Sequence, residues 1–478
     1  MRKGIDMKNT PLLMVLWLLA FGLAPGAESS RAVIPAPHGA TSEEAQGYWD
    51  NRFGPMGMNN SVRAIAVSGS HVFAGGEFTL AGGVAANRIA RWDGSSWSPL
   101  GTGVNNLVYA IAVSGSDVYV GGTFTQAGEA EISYIARWDD AAETWSPLGT
   151  GLNGGVHTVA VSGSDVYVGG SFTQAGGVEA NRIARWDGES WSALGTGLNS
   201  AVYSLAVSGT NVYAGGTFTS AGSLTVNRIA RWDGESWHAL GSGLNNWVWA
   251  VGVSGPIVYA GGDFDQAGGN PAAHIARWDG STWSPLGSGL NNRVLTLAPI
   301  GSGVYAGGTF YLAGGTWVYY ISRWDGSTWS ALGSGLSHWS SAIAMSGSDV
   351  FVGGGFTQAG GVDTPGIACW VEQGTSTEPP RGDTVSGGLS FLHASPNPAS
   401  SGASLFFQSI GSAPLTLSIY DTAGRPMRTQ DLGILPEGAH AHYWDGSNGH
   451  GSALAAGVYF VRLSSAEGRV STRIVLMR

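Results

Sequence analysis

The 478-residue sequence predicts an all-β chain: a seven-bladed β-propeller followed by a small β-sandwich. Three observations carry that expectation. A stretch of about 46 residues recurs seven times between residues 62 and 370, each copy divides into four short apolar runs, and after Gln373 the repeat stops and the composition changes. Fixed periods of this length mark small sheets repeated around an axis. Trp92, Trp138, Trp186, Trp232, Trp278, Trp324 and Trp370 hold the register, at intervals of 46, 48, 46, 46, 46 and 46. The one longer interval lies in a turn, where residues 139–144 replace the shorter 93–96.

Each run has a reason to be a strand. In the second copy, residues 108–114 and 118–124 alternate small and large apolar side chains, and residues 134–138 and 145–148 follow as shorter runs. Such alternation, bounded by Gly, Ser, Asp or Asn, is a strand signature. Asp93-Gly94 and Asp187-Gly188, between the third and fourth runs, signal hairpins because Gly accepts the positive φ the turn needs. The runs are apolar on both faces, so each sheet is expected to be covered on both sides, as neighbouring blades do for one another.

The ends of the repeat predict closure. The last copy stops at Trp370-Val371-Glu372 without its fourth run, and residues 53–60 match 97–101 and 104–106. The start of the chain is therefore expected to supply the outer strand of blade seven and so remove two exposed sheet edges. On this alignment Phe53 takes the seventh place in the column Trp97, Trp145, Trp191, Trp237, Trp283 and Trp329. Both tryptophan columns read as blade-to-blade packing. The arginine column from Arg91 to Arg323 reads as a structural pairing with turn aspartates or carbonyls; the last copy has Cys369 instead. As the only cysteine, Cys369 forms no intramolecular disulfide and reads as a small buried hydrophobe.

The pattern Val-Tyr-Val-Gly-Gly, then Ile-Ala-Arg-Trp-Asp, then a second Trp before Leu-Gly resembles the kelch repeat. Its doublets stand at Gly75-Gly76, Gly121-Gly122, Gly169-Gly170, Gly215-Gly216, Gly261-Gly262, Gly307-Gly308 and Gly353-Gly354. The resemblance implies a propeller and no single activity.

Charged residues are 12% of the chain and the net charge is -10, which argues against nucleic acid as a partner, since phosphate binding needs clustered Lys and Arg. Lys8, an apolar run over residues 12–24 and Pro25-Gly26-Ala27 fit a secretory signal, too short to span a bilayer. The expected organisation is a signal peptide (1–27), a linker (28–47), the propeller (48–374), a second linker (375–388) and a C-terminal domain (389–478), with no transmembrane segment in the mature chain. In that last domain, alternating runs at 404–408, 415–420, 440–444, 458–463 and 469–476 predict an antiparallel sandwich. Ser395-Pro396-Asn397-Pro398, Ile419-Tyr420-Asp421 with Gly424-Arg425, Trp444-Asp445-Gly446, Gly457-Val458-Tyr459 and the terminal 473–478 resemble the C-terminal sorting domain of type IX secretion cargo. They are also similar to the Ig-like fold of the flagellar hook-capping protein. The sorting resemblance implies an outer-membrane secretion machine as a partner, and a place outside or on the surface of a Gram-negative-type bacterium.

Function is expected where the copies differ. The loop between second and third strands and the loop linking blades emerge on the same face of a propeller, and these are the two variable places. Blades five to seven there carry Trp247, Trp249, Arg293, Trp317, Tyr319, Tyr320, His338 and Trp339. Aromatic rings beside hydrogen-bonding groups suit a carbohydrate or a protein ligand. The reading is a binding or adhesion module. The alternatives are a polysaccharide-acting lyase or hydrolase, whose carboxylates would come from different blades, and a passive structural surface protein. No catalytic residues, cofactor or metal are assigned: the ten histidines lack ligand spacing, and Asp263 and Asp265 near Asn270 read as solvated carboxylates. Arg381-Gly382-Asp383 spells an adhesion tripeptide in a linker, where chance is the simpler reading.

Overall fold

The computed structural model describes residues 47–372 and, apart from short stretches, 390–477. The expected signal peptide, residues 28–46 of the first linker, the second linker, the Arg381-Gly382-Asp383 tripeptide and residues 396–398, 424 and 478 of the tail motifs lie outside the described residues, while Gly47, expected in the first linker, begins a strand. Residues 47–372 form seven four-stranded antiparallel sheets. The first comprises Val62–Ser68, His71–Gly76, Ile89–Trp92 and Trp97–Pro99, in that order from axis to rim. The innermost strands Val62–Ser68, Val108–Ser114, Val156–Ser162, Val202–Ser208, Val248–Ser254, Val294–Ile300 and Ser340–Ser346 neighbour one another in sequence order, and the last lies against the first. Among the described residues no helix is long and apolar enough to cross a membrane.

The chain closes its ring with Gly47–Asp50, which pairs antiparallel with Ile367–Glu372 and puts Trp49 opposite Trp370. That is the register of Trp97 opposite Trp92 in blade one. Trp49, not Phe53, therefore holds the seventh place of the second tryptophan column, four residues earlier than the sequence alignment put it. Phe53 is instead buried against Trp92, Trp97 and Phe351.

The second column ties six of the seven blades to their predecessors. The indole N–H of Trp145 donates to the carbonyl of Leu100 at 3.0 Å, and Trp191, Trp237, Trp283 and Trp329 donate in the same way to Leu148, Leu194, Leu240 and Leu286. Trp49 completes the set by donating to Leu332 at 2.9 Å, across the closure. Four of the six arginines pair with acids near the turns at the opposite end of the blades: Arg91 with Asp140 at 2.7 Å, Arg137 with Asp117 at 3.6 Å, Arg185 with Asp165 at 2.9 Å and Arg323 with Glu372 at 3.2 Å. Blade seven has Cys369 in that column, and Arg52 from the closing segment takes over, bonding Asp349 at 2.6 Å and Asp50 at 2.8 Å. Cys369 is fully buried, and burial holds its thiol well above the usual range, which keeps it an unreactive core residue.

The tail is an Ig-like sandwich. A three-stranded sheet of Ser390–Ser395, Ala403–Ser409 and Gly438–Trp444 faces a four-stranded sheet of Pro426–Gly433, Leu415–Tyr420, Gly457–Ser465 and Gly468–Leu476. Leu405, Phe407 and Trp444 from one sheet meet Leu417, Ile419, Val461 and Leu463 from the other in a single core. Trp444 donates its indole N–H to the Ser447 carbonyl at 2.9 Å, so the polar edge of the ring is satisfied inside. Ser390–Ser395 and Pro426–Gly433 are strands that sequence alternation did not reveal; the second is a polar edge strand whose side chains are mostly half-buried or exposed.

Candidate functional site

A constant frame displays the variable face. In blade two, Asn105 accepts hydrogen bonds from the backbone N–H groups of Thr125 and Gln126 at 2.9 and 3.2 Å. Asn59, Asn153, Asn199, Asn245 and Asn291 do the same in other blades, and Ser337 substitutes in blade seven. Each second-to-third-strand loop is thus pinned to the linker that precedes its blade. Six of these loops also contain a short two-stranded hairpin, such as Leu312–Ala313 with Thr316–Trp317.

The innermost strands share a second device. Each has a register shift after its first residue, between Val108 and Ala110 in blade two and between Val248 and Ala250 in blade five. The residue at this bulge is Arg63, Tyr109, His157, Tyr203, Trp249, Leu295 or Ser341, from blade one to blade seven. A β-bulge re-aims one side chain away from the strand's alternation. The doublet glycines let the neighbouring backbone and the next blade approach closely beside the bulge: a Cβ on Gly122 would lie 2.0 Å from the Leu107 carbonyl oxygen, and one on Gly121 would lie 2.5 Å from Val156 of the next blade.

Because innermost strands are neighbours, these side chains meet around the mouth of the central channel. Ring centroids of Tyr109 and His157 are 5.7 Å apart, those of His157 and Tyr203 5.2 Å, and those of Tyr203 and Trp249 4.4 Å. Trp247 continues the belt, 5.6 Å from Trp249. At the other end Arg63 lies 4.6 Å over the ring of Trp339 and bonds Glu77 at 2.6 Å. The belt is uncharged through its middle. Burial pulls His157 down to about 4 and raises the phenols of Tyr109 and Tyr203, so at neutral pH the imidazole is neutral and both hydroxyls keep their protons. The imidazole shares a 2.8 Å hydrogen bond with Ser171.

The eight residues expected at the site fall into three ring groups and one ion pair. Trp247 and Trp249 end the belt. Tyr320 stacks on His338 at 5.8 Å, and His338 meets Trp339 at 6.2 Å. Trp317 stacks between Tyr311 and Tyr319, at 5.3 and 5.7 Å, and is 57% exposed. Arg293 is bound to Asp263 at 3.1 Å, and Asp265 accepts from Asn245 at 2.6 Å, so these carboxylates are paired with protein groups and not merely solvated. Tyr320 has φ +72°, in the position where Arg88, Arg182, Arg228 and His274 are also left-handed and blade seven has Gly366; its conformation belongs to the loop frame. Among the described residues no group of three or more His, Cys, Asp or Glu is placed to hold a metal ion.

Of the belt, the sequence-based expectation for the variable face included Trp247 and Trp249 and left out Tyr109, His157, Tyr203 and Arg63. The missed signal is the residue after each Gly-Gly doublet, which varies in step with the loop and bulge residues: Glu77 with Arg63, Ser171 with His157, Asp263 with Arg293. Gly355 belongs to the same series, since a Cβ there would lie 2.6 Å from the Trp339 ring.

The belt has a pH signature. The folded-state pKa of His157 lies below the ordinary 6.5, so the unfolded chain binds the extra proton first. Stability is complete above about pH 6.5 and falls as pH drops toward 4, by about 2 kcal/mol for this half-buried ring. Chemical denaturation of wild type and His157→Gln at pH 7 and pH 4.5 should show the variant losing less stability; equal losses would contradict the buried neutral imidazole.

Residues 400–469 match the family model "FlgD Ig-like domain", and residues 165–186 match "Domain of unknown function (DUF5122) beta-propeller". No curated protein matches the chain. Similar solved structures include the computationally designed Ika8 protein, at 18% identity over 66% of this chain and 97% of that one, with a TM-score of 0.42. The β-propeller domain of the Trilobed protease from Pyrococcus furiosus is 11% identical over 65% of this chain and 95% of that one, with a TM-score of 0.39. PorZ, a bacterial surface component of the type-IX secretion system of Porphyromonas gingivalis, is 15% identical over 88% of this chain, with a TM-score of 0.40; the match spans 60% of the PorZ chain. By family model, the chain is thus similar to a β-propeller domain over residues 165–186 and to the FlgD Ig-like domain over residues 400–469.

Proposed function

We propose that this protein is a kelch-like propeller exported to the bacterial surface, where it binds neutral carbohydrate at the channel mouth through Tyr109, His157, Tyr203, Trp249 and Trp247. The observation that carries this reading is the bulge in every innermost strand, which brings aromatic side chains from four successive blades into one belt. Aromatic faces stack on the C–H faces of sugar rings, and the phenol hydroxyls and imidazole supply hydrogen bonds for orientation. Arg63 and Arg293 are engaged by Glu77 and Asp263, and Arg182 donates to the carbonyls of Ser171 and Phe172, which favours a neutral ligand over an anionic one. The Trp317 stack is the weaker candidate because its rings cover one another. A glycan array probed with wild type, Trp249→Ala and Trp317→Ala tests the assignment. Binding by wild type that is lost in Trp249→Ala and kept in Trp317→Ala supports it; the reverse pattern, or turnover of a bound polysaccharide, overturns it.

The tail serves, on the same reading, as the type IX sorting domain. Support comes from its Trp444-Asp445-Gly446 and Gly457-Val458-Tyr459 motifs and from the FlgD Ig-like match. Deleting residues 389–478 is expected to leave the propeller folded and retained inside the outer membrane of a host with that secretion system, with at least about a tenfold loss from the surface and medium by immunoblot. Undiminished export would remove this part of the proposal.

A further inference from the structure

We infer that the ring-closure seam is a second binding site, fitted to an extended, uncharged peptide of a partner protein that presents a backbone carbonyl to Trp97. At the other six blade contacts the second-column indole donates to a leucine carbonyl of the preceding blade. Trp97 alone in that column has no acceptor for its Nε1–H, although the residue is only 5% exposed. The cause is covalent. The closing segment must place Trp49 in the outer strand, send Arg52 to Asp349, and bury Phe53 beneath Trp97. It runs 11 positions from Trp49 to Asn60, where blade one runs nine from Trp97 to Asn106. The extra residues form a turn in which the Gly54 N–H bonds the Asn51 carbonyl at 2.8 Å, and no carbonyl reaches the indole.

A groove of about 280 Å³ opens at this seam, lined by Phe53, Met56, Val84, Trp92 and Trp97 together with Arg52, whose charge is already taken up by Asp50 and Asp349. Met56 is 68% exposed and Val84 45% exposed. A buried, unsatisfied donor is costly, and a neutral acceptor satisfies it without the desolvation cost of burying a charge. The acceptor that fits is known from the six other seams: the carbonyl of a leucine that directly follows an outer strand. The flanking apolar side chains favour an occupant with an aliphatic residue beside that carbonyl.

The probe is the capped hexapeptide Ser-Pro-Leu-Gly-Thr-Gly, the sequence this chain places at residues 98–103, titrated calorimetrically into the full chain. Trp97→Phe removes the N–H and keeps a buried ring; it should weaken binding about tenfold. Met56→Asp, at an exposed position, should weaken it at least about threefold with no change in melting temperature. Trp145→Phe, whose indole is already bonded to Leu100, should bind as wild type does. Absence of binding at about 5 mM peptide, or equal affinity in wild type and Trp97→Phe, overturns the inference. A rise in peptide affinity on deleting residues 28–46 would assign the groove to the chain's own preceding segment and overturn it as well.

Discussion

Deleting residues 47–61 is expected to lower the melting temperature by at least about 10 °C and to make the protein associate in a concentration-dependent way. The deletion strips the outer strand from blade seven and exposes the edge of Ile367–Glu372. It also removes the buried Phe53 and Met58, and it removes the indole of Trp49 from Leu332. Arg52 goes too, leaving Asp349 without the cation that binds it. Point variants divide the effect. Trp49→Phe costs about 1 kcal/mol for the lost hydrogen bond, while Trp49→Ala costs about 3 kcal/mol because the ring's packing against Trp370 is lost as well. Thermal unfolding followed by tryptophan fluorescence, with size-exclusion chromatography at two concentrations, checks the series. An unchanged melting temperature after the deletion would mean that closure contributes nothing.

The architecture was legible because it repeats: a period of about 46 residues samples the same physics seven times, and accidents of local composition average out. The closure was legible in kind and displaced in register. Phe53-Gly54-Pro55-Met56-Gly57 imitates Trp97-Ser98-Pro99-Leu100-Gly101 residue for residue, and nothing local in the sequence reveals that Arg52 must replace the arginine missing at Cys369. The candidate site was half legible. Pattern reasoning finds the exposed rings Trp247 and Trp317, but a bulge breaks the alternation that such reasoning relies on. Tyr109, His157 and Tyr203 therefore look like ordinary strand residues until the pairing of Val108 with Gly122 and Ala110 with Gly121 displaces Tyr109 from the ladder. In the tail, Pro426–Gly433 escaped because an edge strand with a largely polar surface carries no apolar period.

Trp249→Ala is expected to weaken glycan binding about thirtyfold, the loss typical of a central aromatic anchor worth about 2 kcal/mol. Trp249 is where the belt is densest: its ring is 4.4 Å from Tyr203 and 5.6 Å from Trp247, so truncation removes one stacking face and loosens two more. Its indole Nε1–H is also buried without a protein acceptor. Trp249→Phe keeps a ring and removes that donor; a loss of about fivefold or more in this variant would show that the N–H meets the ligand, whereas near-wild-type affinity would assign the energy to stacking. Coupling follows from the same geometry. Tyr203→Ala and Trp249→Ala combined should cost less than the sum of the two, because each single change already disturbs their shared face. Trp317→Ala, whose ring belongs to the separate stack with Tyr311 and Tyr319, should add independently and by less than about threefold. Isothermal titration with the best array ligand separates these outcomes. If Trp317→Ala carried the large loss and Trp249→Ala the small one, the binding centre would move from the channel mouth to the blade-six hairpin.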